Sequence, residues 1–177
     1  MNDRIRKRTK YLTMSAMLAA LGVLLLAAGS LVEVLDLSCA VLVSLLCVYA
    51  VIEMGGAYPW LVWVVTSVLG FLLVPQKSAV LFYAMAFGVY PIIKEKLERC
   101  RRVLCWALKL VTFHVSLGVT VLTMWLFFPA MLDMDGIAWL PIALYALCLV
   151  VFILYDILLT RMISFYLFKL RNRFRIK

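Results

Sequence analysis

Ionisable side chains are scarce in the apolar part of this sequence, and each raises a chemical question. Asp156 and Arg161 lie in or beside the last apolar stretch, where charged groups are expensive and usually paired. Counting about 1.5 Å per residue from Ile137 puts Asp156 near a headgroup layer. An ion pair with Arg161 or another cation there competes with a partner contact. His114, the single histidine, follows Lys109 by little more than a turn and reads as a hydrogen-bonded packing residue more readily than as a proton relay. Glu53, before Met54, Gly55 and Gly56, reads as a solvated helix end. Thr112, Ser116, Thr120 and Thr123 recur at helical spacing. Their hydroxyls either bond back to their own helix or line a polar path.

Enzymatic chemistry lacks its parts. No P-loop, HExxH, nucleophile elbow or pair of intramembrane carboxylates occurs, so no catalytic residue is assigned and an enzyme is not expected. The five cysteines, Cys39, Cys47, Cys100, Cys105 and Cys148, are scattered and form neither a disulfide framework nor a zinc pattern. No metal site or cofactor is expected.

The elements that must position these groups are membrane helices. The 177 residues are 67% hydrophobic with a mean hydropathy of +1.07, far above the roughly half-apolar composition of a soluble domain. Seventeen of the eighteen Lys and Arg residues fall at the N-terminus, between Lys94 and Lys109, and from Arg161 onward, with Lys77 the exception. Such clustering beside apolar stretches is the positive-inside pattern of a multi-pass protein with both ends in the cytoplasm. It explains the net charge of +9 without nucleic acid, which is not expected as a partner; membrane lipid is.

Reading for apolar runs bounded by charges, Pro or Gly predicts six spans: Tyr11 to Val34, Ser38 to Met54, Tyr58 to Val74, Ser78 to Ile93, Leu110 to Phe128 and Ile137 to Thr160. The fold class is therefore an all-α integral membrane protein, a single six-transmembrane-helix bundle over residues 1–177. Residues 1–10, 94–109 and 169–177 form its basic cytoplasmic N-terminus, loop and tail. The first span is too long for a cleavable signal and is expected to stay uncleaved. Pro59, Pro75, Pro129 and Pro141 mark span ends, whereas Pro91 is expected to kink span four as it leaves the membrane.

Three groupings stand out on this frame. Ala16 and Ala20 are one turn apart on the first span, with Ser15, Ala19 and Gly22 beside them, a spacing that admits a close-packed helix from inside the bundle or from a partner. Glu33 and Asp36, Gln76 and Lys77, and Asp133 and Asp135 occupy three outer loops, as a lid or as solvated charge. Tyr83 and Tyr145 fall in the outer halves of their spans, where they can stack on a flat apolar ligand. Tyr58, Trp60, Trp63, Trp125 and Trp139 read first as an aromatic belt.

With its length, six spans, inner termini and a first helix written KYLTMSAMLAALGVLL, the chain resembles the substrate-binding S components of energy-coupling factor transporters. Members commonly begin with a comparable L-T-x-x-A-x-x-x-A stretch. The resemblance implies that Ala16 and Ala20 contact a transmembrane T component, which works with two ATP-binding subunits. It also implies a small-molecule ligand at the outer side, a vitamin or precursor, with Glu33, Asp36, Tyr83, Thr120, Thr123, Trp125, Trp139 and Tyr145 as the places of contact. The histidine-rich N-terminus of nickel and cobalt members is missing from MNDRIRKRTK. The implied location is the bacterial cytoplasmic membrane. A non-transporting scaffold, as in bacterial cell-shape or division machinery, is the alternative, with KEKLERCRR recruiting partners.

Overall fold

The computed structural model describes residues 2–31, 35–97, 102–127 and 140–166, and their regular structure is helical throughout. In chain order the elements are α1 (Asn2–Gly29), α2 (Asp36–Glu53), α3 (Tyr58–Leu73), α4 (Lys77–Phe82), a π-helical segment (Tyr83–Phe87), α5 (Val89–Leu97), α6 (Arg102–Phe127) and α7 (Leu140–Phe165). The chain divides into two compact units, Met1–Leu122 and Thr123–Lys177.

Four helices are long and apolar enough to cross a membrane, within Arg4–Gly29, Asp36–Glu53, Leu104–Thr123 and Ile142–Phe165. The third expected span is a shorter apolar helix, α3. The fourth is broken into α4, the π segment and α5, which together with Gly88 make a path of about 30 Å. Leu24, Leu72, Leu73, Leu122 and Ile142 are among many large apolar side chains left exposed. A surface of that kind suits lipid and would drive association in water.

At 28 residues α1 is about 42 Å long, against a hydrocarbon layer of about 30 Å. It starts upstream of the expected Tyr11 because Arg and Lys are good helix formers. Arg4, Arg6, Lys7, Arg8 and Lys10 all stay exposed. At the end of α2, the amides of Met54 and Gly55 both reach the Ala50 carbonyl, at 3.0 and 3.1 Å. Gly55 and Gly56 then take positive φ of 59° and 62°, which stops the helix where a side chain would be strained.

In the first unit, α1 packs along both α2 and α3. At one end the rings of Tyr11 and Tyr58 meet edge-on at 5.4 Å, and the Ser15 hydroxyl lies 3.6 Å from the Met54 sulfur. Toward the other end Gly29 admits Cys39 so closely that a Cβ on the glycine would lie 2.7 Å from the Cys39 Cβ. Between them Gly22 faces Thr66 and Val43. The buried positions of α1 are thus Ser15, Ala19, Gly22, Val23, Leu26 and Gly29. They form a small-residue stripe that brings backbones close, which is how helices associate in lipid.

Candidate functional site

Asp36 opens α2 and is buried, with 8% of its surface exposed. One carboxylate oxygen accepts the Ser78 hydroxyl, while Oδ1 is buried with no hydrogen-bond partner among the described residues. The first turn of a helix favours a carboxylate, yet a buried acceptor left open destabilises by about 1–3 kcal/mol. Lys77 does not fill that gap. Its ammonium donates to the carbonyls of Phe71 and Val74, both at 2.6 Å, and so caps the end of α3. The structure therefore ties α2 to α4 through Asp36 and Ser78, and α4 to α3 through Lys77.

Tyr83 stands elsewhere. It is completely buried, and its hydroxyl lies 3.0 Å from the Cys47 sulfur. Cys47 is eleven residues beyond Asp36 on α2, about 16 Å along the helix. Asp36 and Tyr83 therefore occupy different levels, and Tyr83 serves as a packed strut between α2 and the π segment.

The polar stripe of α6 divides in use. Thr112 and Thr120 donate to carbonyls one turn earlier, Leu108 and Ser116, both at 2.8 Å. Ser116 instead donates across to the Met85 carbonyl in the π segment, at 2.8 Å. His114 uses Nδ1 on the Leu110 carbonyl of its own helix, at 2.8 Å, and sets its ring edge-on to Phe113.

Thr123, Trp125 and Tyr145 belong to the second unit. There Trp125 and Tyr145 are 64% and 41% exposed. Asp156 and Arg161 stand on α7, five residues and hence about 140° apart. Asp156 is buried and Arg161 exposed. Glu33 and Trp139 lie outside the described residues, as do Asp133 and Asp135.

On α1 the two alanines separate from their small neighbours. Ala16 and Ala20 are exposed together with Leu12, Met17, Leu21 and Leu24, while Ser15, Ala19 and Gly22 face inward. Among the belt residues, Trp63 turns inward. Its indole N–H donates to the Ala84 carbonyl at 3.0 Å, and its ring meets Trp60 edge-on at 5.7 Å.

Two lysines counted in the basic 94–109 stretch are structural. Lys94 on α5 is 1% exposed, with its ammonium 5.9 Å from the centre of the Tyr90 ring. Lys109 on α6 is buried with its ammonium 5.5 Å from the Trp106 ring. Sequence spacing carried the signal, since an aromatic four or three residues before a lysine shares its helix face. No His, Cys, Asp and Glu cluster fit for a metal occurs among the described residues.

The chain matches no family model, no curated protein and no solved structure. The functional reading consequently stands on these residues and their placement.

Proposed function

We propose that this chain is an S-component-like protein of the bacterial cytoplasmic membrane, with six spans and both ends inside. It captures a small organic nutrient at its outer side and delivers it through a shared module of one T component and two ATP-binding subunits. The observation that carries the reading is the division of α1. Ser15, Ala19 and Gly22 meet the rest of the bundle, which leaves the exposed Ala16 and Ala20 on a flank shallow enough for a second protein's helix. At the other end Asp36 supports ligand capture, because its buried Oδ1 is an acceptor with no donor among the described residues.

Co-purification of the tagged chain from its host is the test, in the wild type and in Ala16→Trp and Ala20→Trp. The wild type is expected to bring down a T component and two ATPases, and each tryptophan variant to lose them while remaining folded in detergent. Equal recovery from the variants removes the docking role of this flank. Recovery of cell-shape or division proteins with no ATPase replaces transport by the scaffold.

A further inference from the structure

Pro91 has no amide hydrogen to offer the carbonyl of Phe87 four residues earlier, so the helix loses a bond at that point. The turn immediately before widens. Gly88 N–H reaches the Tyr83 carbonyl at 2.7 Å, five residues back instead of four. Single π turns of this kind recur at functional sites. Away from water, backbone groups loosened by such a break must find other partners.

Here two neighbouring helices supply them. Trp63 of α3 donates to the Ala84 carbonyl at 3.0 Å, and Ser116 of α6 donates to the Met85 carbonyl at 2.8 Å. Gly88 makes the first of these possible, because a Cβ there would lie 2.6 Å from Cδ1 of Trp63 and 2.9 Å from the Tyr83 carbonyl oxygen. Tyr83 holds the start of the segment to Cys47 of α2. Asp36 and Ser78 hold α4 from the other side of the break.

We propose that Tyr83–Phe87 is a hinge between α4 and α5, and that Trp63 and Ser116 are the two clasps that keep it closed. α4 is tied to α2 and α3 through Ser78 and Lys77, and α5, which carries the buried Lys94 and the exposed Lys96, also packs on α2, so release of the clasps changes the angle between α4 and α5 and shifts α5 along α2. The hinge goes beyond the transport reading and stands without it, because neither clasp needs a ligand or a module.

Trp63→Phe and Ser116→Ala each remove one donor with little change of shape. Both are compared with the wild type in lipid nanodiscs by hydrogen exchange and by the distance between spin-labelled amino acids placed at Glu53 and Lys96, two exposed positions. Each variant is expected to raise exchange of the 86–92 amides about tenfold, to leave the α2 amides unchanged, and to add a second distance to the single one of the wild type. A single distance in both variants overturns the hinge, and so does exchange that rises equally over α2, which marks general loosening. If Trp63→Phe does not fold, Ser116→Ala decides alone. Loss of the ATPase module in co-purification would leave this result untouched.

Discussion

Gly29→Ala should loosen the protein at one identifiable contact. The added Cβ would lie 2.7 Å from Cβ and 2.8 Å from Sγ of Cys39, whereas unstrained carbon atoms sit at about 3.5–4.0 Å. Sγ can rotate away, but the Cys39 Cβ is fixed by the α2 backbone, so α1 and α2 must part by close to 1 Å. Overpacking of this size destabilises by about 1–3 kcal/mol. Gly29 ends α1, so alanine gains little helix propensity there to offset the strain. The folded-to-unfolded ratio should fall by about five- to 150-fold. Equilibrium unfolding by SDS in mixed micelles, followed by far-ultraviolet circular dichroism, measures the change. Gly118→Ala is the control, because nothing lies within 4 Å of its added Cβ in mid-α6, and it should be neutral or gain up to about 1 kcal/mol. Cys39→Gly in the Gly29→Ala background should recover part of the loss, and Cys39→Ala, which keeps the Cβ, should recover less. Stability of Gly29→Ala equal to the wild type, or equal rescue by both Cys39 variants, would refute the reasoning.

Three further outcomes follow from buried polar atoms and are read by the same unfolding measurement. Thr66→Val should stabilise by about 1–2 kcal/mol, since the Thr66 hydroxyl is buried with no hydrogen-bond partner among the described residues and the exchange nearly preserves shape; a loss would mean that the hydroxyl is bonded. Ser78→Ala should cost about 1–3 kcal/mol by leaving both Asp36 oxygens without a donor among the described residues, and Ser78→Thr should restore most of it. Lys77→Met should cost about 1–3 kcal/mol through the two carbonyls it caps, with hydrogen exchange rising first at the end of α3.

The positions of the apolar helices were legible because hydropathy and charge mark them directly, and four of the six expected spans are helices long and apolar enough to cross a membrane. The expected Ser38 to Met54 and Tyr58 to Val74 nearly coincide with α2 and α3. Ends were less so, since charged residues continue a helix beyond its apolar run, as at Asn2 in α1 and Arg102 in α6. Pro91 announced a break in the fourth stretch, but the widened turn falls before it, among Tyr83 to Phe87. Of the ligand contacts expected by resemblance, Asp36 has a free acceptor, Tyr83 is consumed in packing and Thr120 bonds its own helix.

The sequence by itself determined an all-helical chain with several apolar helices, because a chain in lipid must satisfy its backbone internally and its composition leaves few other solutions. It also put Ser15, Ala16, Ala19 and Ala20 on one helix. Only the tertiary structure decided that Ser15 and Ala19 face inward while Ala16 and Ala20 face out, and that Ser116 reaches across while Thr112 and Thr120 do not. Neighbouring small residues and repeated hydroxyls look alike in sequence, and what separates them is which helix comes close enough to touch.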